Sequence, residues 1–154
     1  MPTHSENRVM PYSAQQMYDL VADVASYPQF LPWNAAARIR SITPQADGTE
    51  VMEADLIISF KVFRERFTSR VVLNGQTKRI DTEYLDGPFK YMRSYWQFGD
   101  TDGGCTVEFF VDFEFKNAIL QNLIGVVFNQ AMQRIVKAFE DRAASLYGEG
   151  FASG

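Results

Sequence analysis

Between Ala35 and Lys116 the chain changes character every second residue, and turn signals cut that stretch into runs of strand length. Ala37, Ile39 and Ser41 alternate with Arg38 and Arg40. Met52, Ala54, Leu56, Ile58 and Phe60 alternate with Val51, Glu53, Asp55, Ile57 and Ser59. Phe67, Ser69, Val71 and Leu73 alternate with Arg66, Thr68 and Arg70. Ile80, Thr82 and Tyr84 follow, then Met92, Ser94, Trp96 and Phe98, then Cys105, Val107, Phe109, Val111, Phe113 and Phe115. A period of two sends successive side chains to opposite faces of a sheet. Asp47-Gly48, Asn74-Gly75, Asp86-Gly87-Pro88 and Asp102-Gly103-Gly104 separate the runs, and short turns join antiparallel neighbours. The pattern predicts a meander of roughly six strands with one buried face, and a weaker alternation near Thr3–Met10 adds a leading strand. Two-residue turns set expected registers: Asn74-Gly75 puts Arg66 opposite Glu83 and Glu65 opposite Tyr84, Asp102-Gly103 puts Trp96 opposite Phe109 and Phe98 opposite Val107, and Asp47-Gly48 puts Ile39 opposite Leu56.

A helix precedes the meander and another follows it. Ser13-Ala14-Gln15-Gln16 fits a capping box, with Tyr12 and Met17 placed as a hydrophobic staple. Met17, Leu20, Val21 and Val24 continue as an apolar stripe, so the helix is expected to end near Val24. The connector Tyr27-Pro28-Gln29-Phe30-Leu31-Pro32-Trp33 has two prolines and suits neither regular helix nor central strand. The last helix is expected from Ala118 to Tyr147, with Asn117 as N-cap and Gly148 as terminator. At 1.5 Å per residue it is ~45 Å long, matching strands of ~40 Å, so it can lie along the whole sheet. Its second half is amphipathic, whereas Ile119, Leu120, Leu123, Ile124, Val126, Val127 and Phe128 make the first half apolar over a wider arc. Residues 1–148 read as one domain and residues 149–154 as a loose tail.

Composition narrows the function. The chain of 154 residues carries 15 basic and 19 acidic side chains, a net charge of −4, which disfavours nucleic acid as a default partner. Cys105 is the single cysteine, so no internal disulfide forms and a reducing cytoplasm is expected. No signal-peptide pattern opens the chain, and the apolar stretch Ala118–Phe128 falls short of the ~20 residues that span a bilayer. Aromatic residues reach 14%, which implies a very full core or a cavity walled with rings.

Little catalytic chemistry is present. His4, the one histidine, reads as a surface polar group. No metal-ligand spacing or glycine-rich phosphate loop occurs. Glu65 is the one carboxylate that the alternation turns inward: it is either an acid/base or head-group contact paired with Tyr84, or a residue at a sheet end meeting water. Lys61, Arg64, Arg66 and Arg70 concentrate positive charge, as a patch for RNA or anionic lipid, or as a solvated face with Arg66 offset by Glu83 and Thr68 beside Asp81. The second reading is the expectation for both features.

Val21-Ala22-Asp23-Val24, the Tyr27–Trp33 run, Gly87-Pro88-Phe89, Trp96-Gln97-Phe98 and the C-terminal helix together resemble the coenzyme-Q-binding, polyketide-cyclase-like branch of the START-like helix-grip domains, which also includes bacterial ribosome association toxins. The resemblance implies an α+β helix-grip fold, a curved antiparallel sheet of about six or seven strands around the long C-terminal helix. It implies ubiquinone or a related polyisoprenoid lipid as ligand, carried without chemistry in support of respiratory electron transport or quinone biosynthesis. The expectation is therefore a protein that is not an enzyme, has no metal and no cofactor beyond a bound quinone, and is cytoplasmic with transient contact at the inner membrane. Asn34 stands where many relatives carry cysteine, which removes a thiol from the connector. Phe30, Leu31, Trp33, Phe60, Phe67, Phe89, Trp96, Phe109, Phe113, Leu123, Val127 and Phe128 are the expected lining. Within it, Phe89 and the Pro28–Trp33 connector form the mouth, and Leu120, Leu123 and Ile124 form a lid or membrane-facing edge. Two alternatives stand beside this reading: a partner of ribosomal subunits or RNA, resting on the Lys61–Arg70 stripe, and a polyketide cyclase or aromatase using Glu65 and Tyr84.

Overall fold

The computed structural model describes residues 3–60 and 63–148. Strand β1 (Thr3–Met10) leads into α1 (Ala14–Ala22) and a 3₁₀ turn (Val24–Gln29). Six strands follow: β2 (Asn34–Pro44), β3 (Glu50–Phe60), β4 (Phe63–Asn74), β5 (Arg79–Asp86), β6 (Phe89–Thr101) and β7 (Gly104–Phe115). Helix α2 (Ala118–Tyr147) closes the chain. The described residues form one seven-stranded antiparallel sheet in the order β1-β7-β6-β5-β4-β3-β2, packed against α2. This is the expected α+β helix-grip architecture.

Local chemistry sets the helix ends. Ser13 Oγ accepts the Gln16 N–H at 3.0 Å and Gln16 Oε1 accepts the Ser13 N–H at 2.9 Å, completing the capping box. The Ala14 N–H goes to Asp100 Oδ1 at 2.9 Å, tying α1 to the β6–β7 hairpin. The regular helix ends at Ala22, and the chain tightens to a 3₁₀ turn that accommodates Pro28. Asn117 Oδ1 caps the Leu120 N–H at 3.0 Å, and α2 stops at Gly148, with φ +76°. The far end of α2 is anchored twice: the Tyr147 hydroxyl donates to the Gln16 carbonyl at 3.2 Å, and the Tyr12 hydroxyl to the Gly148 carbonyl at 3.1 Å.

The registers divide. Trp96 faces Phe109 and Phe98 faces Val107, as the Asp102-Gly103 turn predicts. The β4–β5 register differs by four residues: Arg70, not Arg66, faces Glu83, and Ser69, not Glu65, faces Tyr84. The cause is a longer loop. Asn74 Oδ1 accepts the N–H groups of both Gln76 and Thr77 at 3.1 Å, and Lys78 enters the left-handed region at φ +57° before pairing resumes at Arg79. The β2–β3 loop is also longer. Asp47 Oδ1 accepts the Thr49 N–H at 3.0 Å, and the Gln45 N–H donates to the Thr49 carbonyl at 2.8 Å. A bulge between Ile39 and Ser41 then leaves Ala37, not Ile39, facing Leu56. At the β5–β6 turn, Gly87 (φ +143°) lies so close to β4 that a Cβ there would stand 2.6 Å from the Phe67 Cβ, so no larger residue fits.

His4 is not a surface group. It faces Val111 across the β1–β7 ladder, is 8% exposed, and lies beneath α2 beside the rings of Phe109 and Phe128. Nε2 meets Glu6 Oε1 at 2.8 Å and Nδ1 meets Asn129 Oδ1 at 3.2 Å. The sheet's closure by β1 and the passage of α2 over it bury a side chain that its place near the terminus suggested was free.

Candidate functional site

The buried face of α2 repeats every three or four residues — Leu120, Ile124, Phe128, Met132, Val136, Phe139, Ala143 — and crosses the inner face of the sheet. The contact is not filled. A cavity of about 240 Å³ remains between sheet, helix and the Val24–Asn34 connector. An apolar cavity of roughly 150 Å³ suffices for a benzene ring, so this one admits a substituted six-membered ring.

Eight of the expected lining residues meet there: Leu31, Trp33, Phe60, Phe67, Phe89, Trp96, Phe109 and Phe113. Phe89 sits at the centre of a ring cluster, 5.5 Å from Phe67, 5.4 Å from Tyr84 and 4.8 Å from Phe115 between centroids. Trp96 packs on Phe109 at 4.4 Å and Phe139 at 5.0 Å. The other four lie elsewhere. Phe30 turns to the outside of the connector, against Tyr27 and Phe139 and under the Arg142 guanidinium. Phe128 fills the core between His4 and Phe113. Leu123 and Val127 line a second, outer groove with Ile119, Val126 and Arg134. Leu120 and Ile124 are buried in the cavity wall while Leu123 is on the outside, so the three expected edge residues are split between the two spaces.

The expected set omitted Ile80, Met132, Ile135 and Phe139, which also line the cavity. Their signals were in the sequence, as inner positions of β5 and of the amphipathic half of α2, but periodicity does not say which inner positions border a void. The lumen is apolar with a few neutral polar groups. Ser69, Thr82 and Ser94 line it from β4, β5 and β6, Thr82 directly opposite Ser94. The Tyr27 hydroxyl donates to the Val21 carbonyl at 2.5 Å, and burial raises its pKa, so it remains a protonated donor.

Glu65 faces inward, as the alternation requires, and lines the cavity while remaining exposed to solvent. It does not pair with Tyr84, whose hydroxyl accepts the Phe89 N–H at 3.3 Å. Of the basic stripe, Arg70 lies 3.7 Å from Glu83, Arg64 and Arg66 are exposed on the outer face, and Lys61 lies outside the described residues, as does the 149–154 tail. Thr68 does not neighbour Asp81: it faces Asp86 on one side, and its hydroxyl donates to Asp55 Oδ1 at 2.5 Å on the other. Among the described residues no helix is long and apolar enough to cross a membrane.

Known proteins share this architecture. The chain is 38% identical to a ribosome association toxin of Rickettsia prowazekii over 146 residues, 93% of this chain and 97% of that one. It is 32% identical to a mitochondrial coenzyme Q-binding protein of Xenopus laevis over 150 residues, 94% of this chain and 59% of that one. The crystal structure of the Zhui aromatase/cyclase from a Streptomyces species superposes with a TM-score of 0.76 at 17% identity, covering 97% of this chain and 98% of that one. The last match corrects one expectation. The helix-grip architecture carries enzymes, and the family description below names cyclases and dehydrases, so the absence of a recognisable catalytic motif does not make this chain a non-enzyme. The same superfamily spans polyketide-cyclase, coenzyme-Q-binding and ribosome-toxin branches, and its pocket is able to bind a hydrophobic ligand. With the model of that family matching residues 10–140, the chain belongs to the polyketide cyclase / dehydrase and lipid transport family.

Proposed function

We propose that this protein associates with a ribosomal subunit and works in the cytoplasm. The observation that carries this reading is the 38% identity along 97% of the length of a ribosome association toxin, a likeness that extends through sheet, connector and C-terminal helix. The test is co-sedimentation with purified ribosomal subunits across a salt series. Association at low salt that weakens as salt rises is the expected result. Failure to co-sediment even at low salt would rule the reading out.

A second reading concerns the cavity. Its polar lining is neutral apart from the exposed Glu65, and includes the hydroxyls of Ser69, Thr82 and Ser94. No lysine or arginine lines it among the described residues, so nothing there compensates a buried anionic head. An uncharged ring with hydrogen-bond acceptors suits this lining, and a quinone is such a ring. The 32% identity to a coenzyme Q-binding protein favours the same class. Both tryptophans, Trp33 and Trp96, line the cavity and would report binding. Delipidated protein titrated with a short-tailed ubiquinone analogue should lose tryptophan fluorescence and gain thermal stability; no change in either would exclude the quinone.

A further inference from the structure

The corrected β4–β5 register changes the charge pattern on the outside of the sheet. Had Arg66 faced Glu83, the basic stripe would have been neutralised across the hairpin. Glu83 instead stands four residues further along, within 3.7 Å of Arg70. Arg66 is left facing Ile57, and Arg64 faces Ser59. On the neighbouring strand, Arg38 faces Asp55, but that carboxylate is 6% exposed and already held by the Thr68 hydroxyl at 2.5 Å and by Arg40 Nε at 2.8 Å. Arg40 comes from the bulged segment of β2, which aims it at Asp55. Among the described residues, Arg38, Arg64 and Arg66 are exposed and close no ion pair, though the Arg66 charge is near enough to Asp55 to help hold its carboxyl ionised. Asp86, at the rim beside Thr68, forms no ion pair with them.

We infer that this outer face of β2–β4 is the surface that meets ribosomal RNA, gripping its phosphate backbone through Arg38, Arg64 and Arg66. The inference rests on the ribosomal reading above. Charge complementarity carries it: in a chain of net charge −4, three exposed guanidiniums share one face of the sheet and none closes an ion pair. Side chains two apart on a strand lie about 7 Å from each other and neighbouring strands about 4.8 Å, so Arg64 and Arg66 stand side by side on β4 while Arg38 lies two strands away, roughly 10 Å across β3. Guanidinium groups match phosphate oxygens two at a time. The residues between them, Ala36, Ile57 and Ser59, include no aromatic ring on which bases could stack. Contact is therefore with the backbone, independent of sequence and steeply dependent on salt.

The test replaces Arg38, Arg64 and Arg66 by Gln, singly and together, and measures binding to purified ribosomal subunits and to protein-free ribosomal RNA at several salt concentrations. Each single change should reduce the slope of log affinity against log salt by about 0.7–0.9, and the triple change should lower affinity at least about tenfold at moderate salt. The triple Arg→Lys variant keeps the charge but loses the paired match to phosphate oxygens, so it should keep the parent's salt slope and bind more weakly than the parent but more tightly than the triple Gln variant. Arg93→Gln, at a 71% exposed position on β6, should leave it unchanged. Subunit binding by the parent that the triple Gln variant reproduces, with the same slope, would overturn the inference and leave the ribosomal reading standing. Binding to subunits but not to protein-free RNA would overturn it in favour of a ribosomal protein contact. Binding to phosphatidylglycerol vesicles that the triple variant loses, with no binding to subunits, would overturn both.

Discussion

Trp33 stands edge-on to Phe60 with ring centroids 5.8 Å apart, and the pair is a wall common to the inner cavity and the outer groove on α2. The Arg134 guanidinium lies over Trp33 at 5.3 Å. Trp33 occupies the left-handed region at φ +65°, which costs a bulky residue about 1–3 kcal/mol. Its carbonyl accepts the Ser59 N–H at 2.9 Å, which helps to hold it there. The inner space admits a ring but not a long isoprenoid tail, so a tailed ligand would pass this wall into the groove of Leu123, Val126 and Val127. Phe60→Ala removes a ring contact of about 1 kcal/mol. A bound short-tailed quinone analogue should then dissociate roughly fivefold faster in stopped-flow fluorescence. An unchanged rate would place the route elsewhere.

The lining hydroxyls should discriminate between ligands. Thr82→Val preserves shape and removes one hydrogen-bonding group from the lumen. A hydrogen bond worth about 1 kcal/mol makes this a roughly fivefold loss of affinity for a quinone. Naphthalene, which accepts no such bond, should bind the variant as well as the parent. Calorimetry with both ligands checks the split, and equal effects on the two would show that the hydroxyl does not read the head.

Asp55 should contribute to acid sensitivity. Burial alone would push its carboxyl up, but the Thr68 hydroxyl and the Arg40 guanidinium, with the Arg66 charge adding to them, outweigh that and hold it below the ordinary carboxylate range. A depressed folded pKa supplies stability that is present above the unfolded value near 4 and lost as pH falls through the folded value. Asp55→Asn should lower stability at pH 7 by about 1–3 kcal/mol and shrink the difference between urea midpoints at pH 7 and pH 3. The same pH dependence in both proteins would remove Asp55 from the account.

Cys105 should resist alkylation. It is fully buried, and burial first, with the Asp100 charge second, pushes its thiol up to about 11. At pH 8 its thiolate population, and so its reaction with iodoacetamide, should fall about two orders of magnitude below that of an unperturbed cysteine. The raised value also carries a sign. Above about pH 8.5 the unfolded thiol ionises while the folded one does not, so stability drains away as pH rises toward 11. Rapid labelling of the folded protein at pH 8 would contradict the burial.

Element type and boundary were readable because their causes are local. Ser13 and Gln16 carry their own capping box, Asn117 and Gly148 bracket α2, and two-residue alternation marks each strand. Even where the Asn74-Gly75 turn misled, the inner face survived: a slip of four residues is even, so Phe67, Ser69 and Val71 still point inward. The inward side of Phe67, Trp96, Phe109 and Phe113 was legible for the same reason, since parity along a strand needs no knowledge of its partner; which inward rings border the void was not.

Pairing and enclosure belong to the folded molecule. The loops at Gln45–Thr49 and Gly75–Lys78, with the bulge at Ile39–Ser41, decided which residues face each other. With that they decided that Glu83 stands beside Arg70 and not beside Arg66. The path of α2 decided that His4 and Phe128 are packed, that Leu123 lies outside, and that a void remains beside Trp96. The face a side chain takes follows from the torsions of its own strand and can be read along the chain. What it meets there depends on residues as far away as the 136 positions between Tyr12 and Gly148, and only packing in three dimensions brings them together.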